Sequence, residues 1–327
     1  DPCCGSGGMF VQSMQFVDRH NGNRQQISVI GQESQAETWR LCKMNLAIRG
    51  IAHNLGEKNA STFTEDLHKD RKVDFIMANP PFNLKGWRKE DELTDDYRWR
   101  GYSVPRASNA NYAWILHMIS KLDVSHGIAG FLLANGALND PDEFEIRKQI
   151  LENDKVEAII VLPRDMFYTT DISVTLWIVN MNKKAGVANG RQLRDRSNEI
   201  LFMDLRRWDS NIEEIVIDKG KKKKKTVLTD DQIAEIKKVY SAWQSADQSE
   251  YSDVAEFCKS ATIKDVRLHN YSLAPSKYIE FIDHDLDINY EEEMDRIQTE
   301  MQDVMKAEKK SQQMLEEAFR GIGYGID

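Results

Sequence analysis

The stretch Val73-Asp74-Phe75-Ile76-Met77-Ala78-Asn79-Pro80-Pro81-Phe82 decides the fold. Its first six residues are mostly apolar and predict a buried β-strand. Pro80 and Pro81 cannot continue a sheet ladder, because proline lacks an N–H and has a fixed φ. Each proline also favours an extended conformation for the residue before it, which fixes the direction of Asn79 and of the Pro80 carbonyl. The strand therefore ends in an amide oxygen, a fixed carbonyl oxygen and an aromatic ring, which together suit a planar ligand with an exocyclic amine.

A glycine-rich turn, Asp1-Pro2-Cys3-Cys4-Gly5-Ser6-Gly7-Gly8, precedes a predicted helix at residues 10–19. Glycines allow a sharp turn and a close approach of the backbone to a ligand. Such loops usually follow a strand, so we expect an N-terminal portion of the fold to precede residue 1. A short apolar strand is predicted at residues 27–31, with Glu33 just past its end. The number of residues between the glycine turn and Glu33 is close to the roughly 20 after which nucleotide-binding folds place a ribose-binding acid. Capping of the next helix, at residues 35–49, is the alternative role for Glu33.

Further along the chain, apolar strands alternate with helical segments. Strands are predicted at residues 128–134, 156–162 and 174–180, with a further edge strand at 200–204, and helices at 111–122 and 142–152. This alternation predicts an α/β fold with a doubly wound, mainly parallel sheet. Ligands of such folds bind at the carboxyl ends of the strands. The glycine turn, Glu33 and Asn79 are therefore expected to converge on one crevice.

Composition excludes several classes of protein. The 327 residues are 41% hydrophobic and 30% charged, and no stretch approaches the roughly 20 apolar residues of a membrane span. The four cysteines lack zinc-ligand spacing, so the sequence predicts no metal site and favours reduced, cytoplasmic thiols. The net charge of −9 is unusual for a protein that grips duplex DNA alone, since counterion release favours basic surfaces. If the chain acts on DNA, we expect another subunit to supply much of the phosphate contact.

Two charged segments lie outside the predicted core. Residues 83–109 form a long polar loop in which arginines and aromatics are interleaved: Trp87, Arg88, Arg98, Trp99, Arg100, Tyr102 and Arg106. That composition suits contact with splayed nucleic acid or a partner, and a solvated loop with a few packed aromatics is the alternative. The basic run at residues 221–225 is predicted to be disordered or solvated rather than to bind phosphate.

The ordered set of motifs resembles the N6-adenine DNA methyltransferases, and more closely the modification (M) subunit of type I restriction–modification enzymes. The matching motifs are the Asp1–Gly8 turn, Glu33 and the Asn79-Pro80-Pro81-Phe82 segment. Supporting stretches are Lys43-Met44-Asn45-Leu46-Ala47-Ile48-Arg49-Gly50, Ala78-Asn79-Pro80-Pro81-Phe82-Asn83 and Leu273-Ala274-Pro275-Ser276-Lys277-Tyr278. The resemblance covers nearly the whole chain.

This resemblance implies a Rossmann-like methyltransferase sheet, S-adenosyl-L-methionine as the cofactor and a flipped-out adenine of DNA as the target. It places Asp1, Gly5, Ser6, Gly7 and Gly8 beside the methionine part of the cofactor. Glu33 would accept hydrogen bonds from the two ribose hydroxyls. Asn79, Pro80, Pro81 and Phe82 would form the catalytic corner: Asn79 and the Pro80 carbonyl would accept the hydrogens of the adenine amine, and Phe82 would stack on the base. The family also implies a DNA-specificity subunit and a restriction subunit as partners.

The same resemblance suggests three segments: a catalytic domain at residues 1–209, a mixed, mainly helical extension at 210–285 and a C-terminal helix at 286–327. Within the last segment, apolar residues recur at helical spacing among charged ones: Met294, Ile297, Met301, Val304, Met305, Leu315 and Phe319. A narrow apolar stripe of this kind is typical of a coiled-coil contact with a partner. Packing of the helix onto its own domain is the alternative.

Two features depart from the family pattern. Ser61 stands where an acid often contacts the adenine of the cofactor. The sequence begins at the glycine turn, so we expect the family's N-terminal helical domain and a cofactor-binding segment to precede residue 1. Three other functions are considered, and Phe10 argues against the first. A nicotinamide-dependent dehydrogenase would need glycine in place of Phe10 to complete G-x-G-x-x-G. A protein-glutamine methyltransferase can also use Asn-Pro-Pro followed by an aromatic. A weakly active or inactive scaffold that holds the specificity subunit is the third alternative.

Overall fold

The computed structural model describes residues 1–167, 171–188, 190–216, 222–247, 250–282 and 290–321. The chain divides into two compact units, Asp1–Glu280 and Phe281–Asp327. The helices are α1 (Gly8–Arg19), α2 (Ala36–Ile48), α3 (Asn111–Lys121), α4 (Phe144–Glu152), α5 (Asp230–Gln244), α6 (Ile263–Leu268) and α7 (Tyr290–Gly321). The strands are β1 (Val29–Ile30), β2 (His53–Asn54), β3 (Phe75–Ala78), β4 (Ile128–Ala134), β5 (Val156–Val161), β6 (Val174–Asn180), β7 (Gly186–Ala188), β8 (Arg191–Leu193), β9 (Glu199–Asp204), β10 (Ile212–Val216), β11 (Lys222–Thr226) and β12 (Cys258–Thr262).

The centre of the first unit is a six-stranded sheet with the order β12-β9-β5-β6-β4-β3. β3 pairs in parallel with β4, and β5 pairs in parallel with β9. β6 is antiparallel to both β4 and β5, and β12 is antiparallel to β9. β3, β4, β5 and β9 therefore run in one direction, and β6 and β12 run in the other. The predicted α/β class is confirmed, and the sheet is a mixed one.

Side chains of the central strands alternate between two apolar layers, because successive residues of a strand point to opposite faces. Ile159 and Val161 of β5 pack in a cluster that also contains buried residues of α3 and α4. Ala158 and Ile160 pack in a second cluster with Trp243 of α5. All six residues of β5 are buried, as expected for a central strand that is covered on both faces.

A second, two-stranded parallel sheet is formed by β1 and β2. The glycine turn continues it, because the Asp1 amino nitrogen donates to the Ile30 carbonyl at 3.0 Å and the Gln32 N–H donates to the Asp1 carbonyl at 3.1 Å. These two bonds have the pattern of a parallel ladder. The start of the glycine turn is thereby fixed beside the carboxyl end of β1.

Three sequence predictions about strands are corrected. Residues 73–78 were expected to be fully buried, but β3 is the end strand of its sheet, and Phe75 and Met77 are 72% and 47% exposed. The predicted edge strand at 200–204 lies inside the sheet, because β12 pairs with its outer side. In the basic run, Lys222–Thr226 forms a strand that pairs with β10, so these residues are ordered. Alternate lysines of this strand still face solvent.

The second unit contains α7, a helix of 32 residues. Every member of its predicted apolar stripe that the structure describes is exposed, from 36% at Phe319 to 67% at Val304. No residue of α7 is buried among those described. Among the described residues, no helix of either unit is both long and apolar enough to cross a membrane.

Candidate active site

Two glycines of the turn have the backbone geometry that only glycine adopts without strain. Gly5 and Gly7 have φ values of 53° and 82°, and Gly7 is the N-cap of α1. A Cβ atom on Gly7 would lie 2.8 Å from the Cys42 sulfur, whereas a Cβ atom on Gly5 or Gly8 would meet nothing within 4 Å. The turn is therefore packed tightly against α2 at Gly7 and open at Gly5 and Gly8.

The turn is held by hydrogen bonds from several sides. The Asp1 carboxylate accepts a bond from the Cys3 N–H at 2.9 Å, and the Ser6 carbonyl accepts one from the Asn45 side chain at 2.8 Å. The Thr62 hydroxyl donates to the carbonyl of Pro2, which is buried. Each bond fixes a main-chain atom of the turn, so its shape is set before any ligand binds.

Both carboxylate oxygens of Glu33 are bonded within the protein. One carboxylate oxygen accepts a bond from the Gly5 N–H at 3.0 Å, which ties the turn to the end of β1. The other oxygen accepts bonds from the Gln35 N–H at 2.8 Å and from the Ser34 hydroxyl at 3.3 Å, at the entrance of α2. The side chain is half-buried, so its carboxylate remains accessible from one side.

The cysteines of this corner are free thiols. Burial raises the pKa of Cys3 to about 12. The pKa of Cys4 is raised mainly by a side-chain hydrogen bond with Cys42, and burial raises it further. The Cys4 and Cys42 sulfur atoms are 3.9 Å apart beneath the turn. We assign Cys3 and Cys4 no part in the chemistry, because it is the thiolate that acts as nucleophile.

The Asn79 motif follows directly on the last residue of β3. Asn79 and Pro81 are exposed, Pro80 is buried and Phe82 is half-buried. The Asn79 amide makes no hydrogen bond within the part of the chain that the structure describes. A buried proline thus fixes the backbone, while the amide side chain and the aromatic ring remain available.

Asn111, which the sequence did not single out, holds the exit of this motif. Asn83 has the left-handed φ of 54°, and its N–H donates to the Asn111 side-chain oxygen at 2.9 Å. The Asn111 side-chain nitrogen donates back to the Asn83 side-chain oxygen at 2.8 Å. Asn111 is buried at the first turn of α3, where asparagine would ordinarily be interpreted as a helix cap. The pair fixes where the chain turns after Phe82.

The glycine turn and β3, which precedes the Asn79 motif, are linked by core packing and by one contact of α1. Cys3 of the turn packs against the same core cluster that contains Ala78, the residue before Asn79. The Ser13 hydroxyl of α1 also lies 3.6 Å from the Met77 sulfur of β3. These contacts place α1 beside β3, and the convergence of the glycine turn, Glu33 and Asn79 on one crevice stays a prediction.

Two roles were considered for the loop at residues 83–109, and the structure shows the packed aromatics of the second. Trp87, Arg88, Arg98 and Trp99 are buried, so these four do not form a nucleic-acid or partner surface. Most of their donors are bonded: the Trp87 ring nitrogen donates to the Arg106 carbonyl, and Arg88 donates to four carbonyls of the loop, although its Nε has no partner among the described residues. Arg98 donates outside the loop, to the carbonyls of Thr62 and Phe63. Arg100 is exposed, and Tyr102 and Arg106 are partly exposed. The mixture of arginine and tryptophan stabilises a compact loop.

Comparison with known proteins agrees with this geometry. The family model described as N-6 DNA Methylase matches residues 1–286. This chain belongs to the N-6 DNA methylase family. It is 38% identical to the type I restriction enzyme HindI methylase subunit of Haemophilus influenzae over 99% of this chain and 68% of that protein. It is 31% identical to the MjaIX methylase subunit of Methanocaldococcus jannaschii over 99% of this chain and 55% of that protein.

A solved structure shares the fold of this N-6 DNA methylase chain. It is the type I restriction-modification methyltransferase subunit from Streptococcus thermophilus, with a TM-score of 0.67, 24% identity, and coverage of 86% of this chain and 53% of that one. The predicted resemblance to type I modification subunits, and with it the class of DNA adenine methyltransferases, is confirmed at the level of the family. The chain spans between about half and two thirds of the length of these relatives.

Proposed function

We propose that this chain carries the methyl-transfer site of a type I restriction–modification complex and methylates N6 of a flipped-out adenine in DNA. The observations that support it most directly are the exposed Asn79-Pro80-Pro81-Phe82 motif at the carboxyl end of β3 and the glycine turn that is bonded to Glu33. This is the end of a sheet at which α/β proteins bind ligands.

The residues present fit S-adenosyl-L-methionine, which supplies an electrophilic methyl group when it is bound. Gly5 and Gly8 carry no side chain and have open space where a Cβ atom would stand, so a ligand can approach the backbone there. Glu33 offers a carboxylate with further acceptor capacity for a ribose diol. We infer that Asp1, Ser6 and Gly7 shape the remainder of the pocket that would hold the methionine part.

At the other corner, Asn79 and the Pro80 carbonyl would accept the two hydrogens of the adenine amine. These bonds turn the nitrogen lone pair towards the methyl group, and the nitrogen gives up one proton to water after the N–C bond forms. An amine needs no strong base before attack, so alignment is the main catalytic contribution. Aligned reactants can lower a barrier by up to about 7–11 kcal/mol. Pro80 and Pro81 supply this alignment by fixing the backbone.

Phe82 would stack on the flipped base. Stacking of a base on an aromatic ring contributes roughly 1–3 kcal/mol. Unstacking a base from the duplex costs a few kcal/mol. These energies are similar in size, so we expect Phe82 to influence how much of the flipped state is populated.

The separation of the two corners gives a test by substitution. We expect Asn79→Ala in the assembled complex to lower the methyl-transfer rate by at least about 100-fold, the loss typical of removing one positioned polar group. Because Asn79 is exposed and does not contact the glycine turn through a hydrogen bond, cofactor affinity and the unfolding temperature should stay unchanged. The measurement is transfer of a labelled methyl group, with calorimetry of S-adenosyl-L-methionine binding as the control. Retained turnover would contradict the assignment.

We further propose that α7 contacts a partner, in keeping with a specificity subunit, through its exposed apolar stripe. The paired substitution Met301→Asp and Val304→Asp places charges on the stripe and should prevent assembly, because burial of a charge in a helix interface is costly. Thr299→Asp and Gln302→Asp, which alter the polar side of the same helix, form the matched control. Co-purification measures the result. Equal assembly of both variants would favour packing of the helix onto its own chain.

A further inference from the structure

A cavity of about 440 Å³ lies away from the candidate active site. Its lining comes from the segment before β3, from the loop around residue 100 and from the end of α3: Lys69, Asp70, Lys72, Tyr97, Arg98, Arg100, Tyr102, Ile119 and Ser120. Lys72 precedes β3, whereas Asn79 follows it. The cavity and the Asn79 motif are therefore at opposite ends of the same strand.

The cavity is positively charged in a chain whose net charge is −9. Lys69, Lys72 and Arg100 are exposed cations, and Asp70 is the one exposed acid in the lining. Lys69 and Arg100 form no ion pair within the described residues, and Lys72 uses one of its three protons on the Ser120 carbonyl. These three side chains retain unused hydrogen-bond donors, and such donors suit an anionic ligand.

Two further lining residues, Arg98 and Tyr97, form a wall of the cavity that is held by bonds within the protein. The Arg98 side chain is 2% exposed and forms a two-bond ion pair with Asp96, with both N–H···O distances at 2.7 Å. It also donates to the carbonyls of Thr62 and Phe63 at 2.9 Å and 2.6 Å. The Tyr97 hydroxyl donates to Asp66 at 2.7 Å. All these groups are satisfied inside the protein, so the wall is fixed and its charge is neutralised.

Asp70 offsets one of the three exposed cations, and the other acids near the cavity are paired elsewhere. Asp96 is engaged by Arg98, and Asp66 is engaged by Lys121 at 2.6 Å. Hydrogen bonds to these partners hold the pKa of Asp66 and of Asp96 low against the opposing effect of burial. Lys69, Lys72 and Arg100 therefore make the electrostatic potential in the cavity positive.

We propose that this cavity binds the phosphate of a nucleotide, either free or within a nucleic-acid strand. Lysine binds phosphate as a point charge, and arginine binds it with a planar fork of donors. The volume exceeds that of a phosphate alone and falls in the range of about 300–1,000 Å³ found for small-molecule sites. The half-exposed Tyr102 ring supplies an apolar wall for the rest of the nucleotide. The site goes beyond methyl transfer, because it includes none of the residues of that reaction.

The test is calorimetry on the full chain with three probes: sodium phosphate, thymidine 5′-monophosphate and a single-stranded oligothymidine. Thymidine is chosen because it lacks the adenine that the methyl-transfer site would take. We expect the mononucleotide to bind more tightly than phosphate. The paired change Lys69→Glu and Arg100→Glu should weaken its binding by at least about tenfold, which corresponds to about 1.4 kcal/mol. An equal loss for the oligonucleotide indicates nucleic acid as the source, and a loss for the mononucleotide alone indicates a free nucleotide.

Lys237→Glu with Lys238→Glu, two exposed changes on α5, alters the net charge by the same amount and is the matched control. It should leave the affinity within about twofold. Arg100→Gln removes one cation without introducing an acid and should cause an intermediate loss. The proposal is overturned if the two charge-reversed variants weaken binding equally. It is also overturned if phosphate and mononucleotide give no more heat than sodium chloride at the same ionic strength.

Discussion

Glu33 and Asn79 each lie just past the carboxyl end of a parallel strand, yet the two corners are built differently. The Glu33 carboxylate is bonded to Gly5, Ser34 and Gln35, so it shapes the protein as well as any ligand site. The Asn79 amide is exposed, and its backbone is fixed from behind by Pro80. A substitution at Asn79 is therefore expected to change the methyl-transfer rate alone. A substitution at a packed residue of the glycine corner is expected to change stability and cofactor affinity together.

Among the substitutions that test this comparison, a change at Gly7 is expected to have the largest effect on stability and cofactor binding. Gly7→Ala would place a Cβ atom 2.8 Å from the Cys42 sulfur in a left-handed conformation with φ of 82°. Backbone strain of this kind costs about 1–3 kcal/mol, and overpacking adds a similar amount. We expect a lower unfolding temperature and loss of measurable S-adenosyl-L-methionine binding. Thermal unfolding and calorimetry would measure both.

Gly8→Ala is the matched control, because a Cβ atom there meets nothing within 4 Å and φ is not positive. It should leave the unfolding temperature unchanged or slightly higher. Any loss of cofactor binding in this variant would then report the approach of the ligand to Gly8. Equal destabilisation by the two alanines would mean that the glycine corner is not packed as described.

A smaller effect is expected at Asn111. Asn111→Ala removes both bonds to Asn83 and leaves a backbone N–H without its partner. The Asn79 corner should shift, and small misplacements of reacting groups can lower rates by up to about 100-fold. We expect a fall in turnover of about tenfold, with cofactor affinity unchanged. Asn111→Asp keeps the acceptor for the Asn83 N–H and should lose less; equal losses would show that the acceptor is not what matters.

The smallest effect is expected at Phe82. Phe82→Ala should reduce the fluorescence change of a 2-aminopurine placed at the target position, because a stacking energy of roughly 1–3 kcal/mol is lost. Phe82→Leu keeps an apolar contact without the ring and separates stacking from simple packing. An identical signal in all three proteins would remove the stacking role of Phe82.

Much of the fold could be predicted because hydrophobic patterns carry it. Two central strands, Ile128–Ala134 and Val174–Asn180, were predicted to the residue from their apolar runs. β12 was missed, because Cys258–Thr262 contains lysine, serine and threonine and has no apolar run. Its pairing with β9 depends on contacts distant in sequence. The same omission made β9 look like an edge strand.

The parts of the site that escaped prediction depend on three-dimensional contacts. No pattern marked Asn111, because its helix-start position already explains an asparagine there. For Trp87 and Trp99 the sequence left a contact surface and packed aromatics both open, because charges surround these rings in sequence, and the loop folds them inward. The roles of Asp1, Gly5, Glu33 and Asn79 could be predicted only because their order matches a family.

The central claim is that Asn79 and its neighbours direct a methyl group to the exocyclic nitrogen of adenine. Mass spectrometry of nucleosides, after the complex acts on DNA with S-adenosyl-L-methionine that carries a deuterated methyl group, tests this directly. We expect N6-methyladenine with the full isotopic label, formed at least about 100-fold more slowly by the Asn79→Ala complex. Label found on a protein glutamine instead, or equal label in both complexes, would contradict it.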